Sequence, residues 1–244
     1  MPTFAHGNAT IYYEEFGSGY PVLLFAPGGL RSAIELWHRS TWDPTVELAG
    51  SYRVVAMDQR NAGHSHAPVR ASDGWRTYAS DQVALLDHLA IERAHVMGMC
   101  VGGPFSFGII QAIPDRITAA VLQQPSGLSA TNRADFLANS QTWVDDMKQQ
   151  QPDLTDATLD AFRQNMYGGD NFVFTVGRDF VRACETPLLV LSGNDNFHPM
   201  VISQEIVALA PNAEFVYPWK DAGVVPETVQ RVRTFLEAHT PIRA

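Results

Sequence analysis

A series of short, nearly continuous apolar runs constrains this chain more than any other feature. They are "PVLLFAP" (21–27), "YRVVAMD" (52–58), "AHVMGM" (94–99), "ITAAVLQQ" (117–124) and "PLLVLSG" (187–193). Each has strand length, and a strand that stays apolar at successive positions buries both faces. "TIYYEEF" (10–16) alternates instead and reads as an early antiparallel strand, and "AEFVYP" (213–218) reads as the last strand. Helical patterns separate these runs at 75–92, 103–113, 200–210 and 226–239. Strands alternating with helices imply an α/β fold, with a mostly parallel central sheet flanked by helices on both faces.

One segment breaks the alternation. "NRADFLANSQTWVDDMKQQ", "DATLDAFRQNMY" and "NFVFTVGRDFVRA" follow one another within 129–183 and all read as helical, with no strand between them. The expected organisation is a core domain of residues 1–128 and 184–244 with a small helical insert at 129–183. Such an insert is suited to cap an active site, and extra packing helices are the alternative.

Composition narrows the partners. The 244 residues are 45% hydrophobic and 18% charged, enough for a sizeable core, and the formal net charge is −9. A negative surface repels phosphate backbones, so neither nucleic acid nor an anionic membrane is an expected partner. The opening "MPTFAHGNATIYYEE" has no basic stretch followed by an apolar run, so a soluble cytoplasmic protein is expected. A small-molecule substrate is the expected ligand, with a homodimer left open. The two cysteines, Cys100 and Cys184, make no disulfide framework. No Cys/His spacing suggests a metal, and no glycine pattern suggests a nucleotide, so no cofactor is expected.

Cys100 stands inside "GMCVGG" (98–103), between a strand ending at Met99 and a helix starting near Gly102. This is the G-x-[S/C]-x-G turn known as the nucleophile elbow. The turn holds its central residue in a strained conformation, and side chains at Gly98 and Gly102 would clash across it. The thiol then sits at a helix N-terminus, where the dipole favours a thiolate. A buried, inert cysteine is the competing reading.

With these features the chain resembles the α/β-hydrolase family over nearly its whole length. "LLFAPGGL" (23–30) is similar to that family's strand and oxyanion loop, and "DQRNAGHSHAP" (58–68) to its D-x-R-x-x-G-x-S-x-x-P loop. "PLLVLSGNDNFHP" (187–199) is similar to the strand and loop that carry the acid. Family members with cysteine at the elbow include dienelactone hydrolases and polyhydroxyalkanoate synthases, but the 58–68 loop and the insert look more like the capped esterase and lactonase branch. The resemblance implies oxyanion donors at Val101 and at Gly29, with Leu30 the next choice because Pro27 stands where histidine is common. It implies Asp195 as the acid, since the other family position, "LQQPS" (122–126), has no carboxylate. An Asx turn is the alternative role for Asp195.

The family's general base follows the last strand, and here "YPWKDAGVVPET" (217–228) contains no histidine. Active sites of parallel sheets lie at the C-terminal strand edge. That rule sets aside His95, which starts a strand, His88 and His239, which end helices, and His6 in the N-terminal hairpin. His38, His64, His66 and His198 remain. His198 is preferred because it shares one loop with Asp195, although a role at the start of the next helix is equally open. A cysteine nucleophile also tolerates a missing base better than a serine does, because part of the thiol is already ionised at neutral pH.

The expected activity is hydrolysis of a small ester, lactone or thioester through a covalent Cys100 intermediate, with Asp195 and His198 managing protons. Leu30 and the insert residues Trp143, Met147, Phe172 and Phe174 would line an apolar substrate pocket, or serve only as core. The missing C-terminal histidine keeps two other classes open. One is a ligand-binding or vestigial hydrolase fold. The other is a lyase or acyl transferase that passes the thioester to something other than water.

Overall fold

The computed structural model describes residues 2–242. An eight-stranded sheet runs through the molecule in the order β1-β2-β4-β3-β5-β6-β7-β8. The strands are β1 (Thr3–His6), β2 (Ala9–Phe16), β3 (Tyr20–Phe25), β4 (Tyr52–Met57), β5 (Ala94–Met99), β6 (Ile117–Gln123), β7 (Leu188–Leu191) and β8 (Ala213–Val216). The first two run antiparallel at one edge, and β3 to β8 are all parallel. The helices are α1 (Pro44–Glu47), α2 (Trp75–His88), α3 (Gly102–Ala112), α4 (Arg133–Asn139), α5 (Gln141–Gln150), α6 (Asp156–Tyr167), α7 (Arg178–Arg182), α8 (Met200–Leu209) and α9 (Val225–Ala238). Every apolar run singled out in the sequence is one of these strands.

The pleat explains why the runs are apolar at every position. Leu23, Val55, Val96, Leu122 and Val190 point to one side, into a core shared with α2, α3, α8 and the helices between β6 and β7. Their neighbours Leu24, Ala56, Met97, Val121 and Leu189 point to the other, into a core shared with α9, Trp37 and Trp219. Successive side chains of a strand face opposite ways, so a sheet covered on both sides needs apolar residues throughout.

The segment between β6 and β7 holds four helices, but not with the expected boundaries. The run 132–150 divides at Ser140, which closes α4 and opens α5, its Oγ donating to Leu137 O at 2.7 Å. Of "NFVFTVGRDFVRA", only Arg178–Arg182 is helical. Phe174 adopts φ 62, the amide of Phe174 bonds Asn171 O, and Gly177 starts α7 in an extended conformation. Burial of Phe172, Val173, Phe174 and Val176 overrides the weak helical pattern of this stretch.

The loop 58–68 ties the layers together. Asp58 Oδ1 accepts from Ile34 N at 2.7 Å, and Oδ2 accepts from His64 N at 2.7 Å. Gly63 has φ +53, and a Cβ there would lie 2.2 Å from Asp58 Oδ2. Ser65 Oγ donates to Asp58 O and accepts from Tyr12 N. Arg60 makes a two-pronged pair with Asp81 of α2, at 2.8 and 2.7 Å, with both side chains buried. Burial pushes the Asp81 carboxyl up, and Arg60 offsets part of that rise.

No helix among the described residues is long and apolar enough to cross a membrane. The Arg60–Asp81 pair yields the first prediction. Asp81→Ala leaves a buried guanidinium without its counter-charge and costs about 3–5 kcal/mol. Urea unfolding of the variant measures it, and a loss below about 1 kcal/mol would mean that water reaches Arg60.

Candidate active site

The strand β5 ends against α3 at Cys100, which has φ 59. Only glycine fits on either side of it. A Cβ on Gly98 would sit 2.1 Å from Gly102 O, and one on Gly102 would sit 2.4 Å from Phe25 O. Gly103 is pressed against Pro125 in the same way. The Cys100 backbone is held on both ends: its N–H donates to Gln123 O at 2.9 Å, and its carbonyl accepts from Gly103 N and Ser126 N. Val101 follows as the cap of α3, so its amide is among the first-turn donors that a helix leaves without an internal partner.

The side chain of Cys100 faces a cavity of about 270 Å³. One wall is made of Gly28, Gly29, Val101, Ser126 and His198. The other is aromatic, formed by Trp75, Phe136, Tyr167, Phe174 and Phe197, with Arg31 and Asn139 beside them. Arg31 is turned toward α5, where its Nε donates to Asp146 Oδ2 at 3.1 Å and its Nη1 to Thr142 Oγ1 at 2.6 Å.

Asp195 and His198 meet on the loop after β7. His198 Nδ1 lies 2.8 Å and 2.9 Å from the two Asp195 oxygens, and Asp195 Oδ1 also accepts from the amides of Phe197 and His198 at 3.0 Å each. The loop closes this tightly because Gly193 has no side chain; a Cβ there would fall 2.3 Å from His198 Cβ. A carboxylate only accepts, so Nδ1 carries the proton and Nε2 is left with its lone pair. That Nε2 is buried and has no hydrogen bond of ordinary geometry among the described residues. His198 and Cys100 line the same cavity.

The electrostatics of the three groups follow from this placement. Burial alone pushes the Cys100 thiol up. The neighbouring His198, the Ser126 hydroxyl at 3.4 Å and the backbone of Gly28 more than reverse that and bring the pKa to about 7. Burial pulls the His198 imidazole down, but Cys100 and then Asp195 raise it above its ordinary value. Burial likewise pushes Asp195 up, and the hydrogen bond and charge of His198 take it below the usual carboxylate range. The three groups are thus electrostatically linked, with the thiol's pKa lowered, the imidazole's raised and the carboxyl's lowered.

The other histidines are engaged elsewhere. His38 bonds Asp43, His64 lies 3.3 Å from Asp58 with most of its ring exposed, and His66 pairs its backbone with Thr10. His95 is enclosed between Thr118 and Thr240, and burial drives its pKa down to about 3. His6 and His88 bond Ser80 and Tyr13, and His239 packs on Phe235. The loop after β8, where the family carries its base, serves as a brace instead. Trp219 Nε1 donates to Ser192 O at 2.8 Å, and Lys220 Nζ to Gln124 Oε1 at 3.0 Å.

Among the residues expected to line a substrate pocket, only Phe174 borders this cavity. Leu30, Trp143, Met147 and Phe172 are buried in the core away from it. Trp143 stacks near Phe162 and donates to Asn61 O, so its indole holds the insert to the 58–68 loop. Gly29 does border the cavity, together with Gly28 one position earlier. Sequence reasoning missed Ser126, Trp75, Phe136, Tyr167 and Phe197. Of these, only Ser126 carried a signal, because it follows β6 at a position where the family can place its acid. Among the described residues no group of three His, Cys, Asp or Glu side chains is arranged to hold a metal ion.

Comparison with known proteins agrees with this architecture. A family model described as the alpha/beta hydrolase fold matches residues 21–185. A 2-hydroxymuconate semialdehyde hydrolase of Pseudomonas sp. strain CF600 is 30% identical over 117 residues, 48% of this chain and 40% of that protein. An uncharacterized carboxylesterase of Bacillus subtilis strain 168 is 23% identical over 235 residues, 85% of this chain and 78% of that protein. The solved enol-lactonase of Burkholderia xenovorans LB400 superposes with a TM-score of 0.71 at 18% identity, covering 97% of this chain and 100% of that one. At that identity the likeness speaks for the fold. The chain spans less than half the length of the curated relatives it matches first, 43%, 41% and 40%.

The site's electrostatics are open to a direct check. Alkylation of Cys100 by iodoacetamide, followed by intact mass, rises with pH around an apparent pKa of about 7. His198→Ala moves that midpoint up, and Ser126→Ala moves it up by less. A midpoint unmoved by His198→Ala would break the thiol–imidazole link.

Proposed function

The chain belongs to the α/β-hydrolase fold family, and we propose that it is a cysteine-dependent hydrolase of small esters, lactones or thioesters. One observation carries the reading. A cysteine held at positive φ faces a cavity walled on one side by aromatic rings, and its thiol is drawn to about 7 by a histidine that a carboxylate orients.

The Cys100 thiolate attacks the substrate carbonyl carbon, and the carbonyl π pair moves onto oxygen. The amides of Val101 and of the 28–29 loop stabilise that oxyanion. As the intermediate collapses, the leaving oxygen takes the proton from His198 Nε2. The neutral imidazole then removes a proton from water, whose oxygen attacks the thioester and releases Cys100 as thiolate. Asp195 holds the ring in the tautomer that both steps need. Residues 129–183 act as the cap, with Phe136, Tyr167 and Phe174 excluding water from the acyl group.

An intact-mass time course with p-nitrophenyl acetate tests this. The wild type forms an acetyl adduct that clears. Cys100→Ala forms none. His198→Ala forms the adduct more slowly and hydrolyses it about 10²–10⁴-fold more slowly. An adduct that never clears in the wild type points instead to transfer onto another acceptor. No adduct in the wild type overturns the nucleophile.

A further inference from the structure

Tyr167 lies at the C-terminal end of α6 and is 4% exposed. Its ring is fixed on three sides. Phe136 stacks on it at 5.7 Å, and Trp75 and Phe174 meet it edge-on at 6.2 and 5.5 Å. Its backbone carbonyl accepts from Arg133 Nη1 at 2.8 Å, which anchors the end of the helix. The ring therefore has little freedom, and its hydroxyl has one direction to point.

That direction is the cavity. The hydroxyl comes within 4.0 Å of the position a Cβ would take on Gly29, a residue that lines the cavity, and no hydrogen bond joins it to another described residue. It is near enough to Cys100 that a thiolate there adds to the rise of its pKa, although burial is the larger cause. A phenol so placed stays protonated across the physiological range and can only be a donor to a developing anion. Asn139 also borders Gly29, but it is exposed to water and carries no comparable packing.

We propose that Tyr167 Oη donates a third hydrogen bond to the carbonyl oxygen of the substrate as it becomes an oxyanion. The proposal rests on the cysteine-hydrolase reading above. The Cys100 sulfur forms its bond to the carbonyl carbon, the π pair settles on oxygen, and Tyr167 shares its proton with that oxygen without giving it up. When the intermediate collapses, the hydrogen bond weakens and the proton remains on the phenol. The same placement limits the substrate. Its carbonyl must lie near Gly29 and Tyr167, with the acyl chain along the apolar wall of Phe136 and Phe174.

Tyr167→Phe removes the hydroxyl and keeps the ring. Single-turnover acetylation by p-nitrophenyl acetate is expected to slow about 10²-fold at saturation, with the half-saturating concentration within about threefold of wild type. Alkylation by iodoacetamide builds no oxyanion and is expected to proceed at the wild-type rate. A small aldehyde that adds to the thiol places its oxygen in the same position, and its inhibition of alkylation is expected to weaken in parallel with acetylation. Equal acetylation rates in both proteins overturn the proposal while leaving the hydrolase reading intact. A matched loss of alkylation also overturns it, because Tyr167 would then act on the thiol or the fold. If the wild type alkylates at Cys100 but is never acetylated, the hydrolase reading fails and the proposal falls with it.

Discussion

The site depends on a missing pair of methyl groups. Between β5 and α3 the chain turns so sharply that Gly98 lies against the carbonyl of Gly102, and Gly102 against the carbonyl of Phe25. Any side chain there would push α3 away from the sheet. Because the contacts are that close, Cys100 is forced to φ 59 and projects from the end of the sheet instead of lying within it. The energetic cost of that conformation is spread over the surrounding ladder: Gln123, Gly103 and Ser126 all bond the Cys100 backbone. The thiol is thereby held beside α3's first amides whatever else moves.

The second constraint is where the imidazole comes from. In this chain the acid loop carries both Asp195 and His198, three residues apart, and Gly193 allows the loop to fold back on itself. A short loop has an advantage for such a pair. The carboxylate bonds two amides of its own turn as well as the ring, so the ring's tautomer is set locally. The loop after β8 then has no proton to handle. Trp219 and Lys220 brace Ser192 and Gln124 at the ends of β7 and β6. The proposed base has thus changed loops without leaving the C-terminal edge of the sheet.

Much of this was legible in the sequence, and the parts that were not share a cause. The apolar runs at 21–27, 52–58, 94–99, 117–124 and 187–193 mark β3 to β7 because only a sheet covered on both faces requires them. Gly98, Cys100 and Gly102 announced the turn because their spacing has a steric meaning. The aromatic residues of the insert carried no such meaning. Trp143 and Phe174 look alike in a list of apolar positions, yet one is tied to Asn61 and the other borders the cavity. The stretch 171–177 matched a helix by pattern, but burial of four neighbouring side chains and a positive φ at Phe174 turned it into a tight loop.

The sequence by itself determined the layered α/β architecture, the elbow at Cys100 and the identity of the residues on the acid loop. These rest on local rules: the period of a strand, the size of a glycine and the reach of a short loop. The tertiary structure alone decided which histidine lines the cavity beside Cys100 and which aromatic rings enclose it. The sequence preferred His198 over His38, His64 and His66 only because it shares a loop with Asp195, and it is the packing that leaves His198 Nε2 buried, without a hydrogen-bond partner among the described residues, on the cavity that Cys100 lines. Tyr167 was silent in the sequence for the same reason. Its hydroxyl acquires a direction only when Trp75, Phe136 and Phe174, drawn from three separate segments, close around the ring.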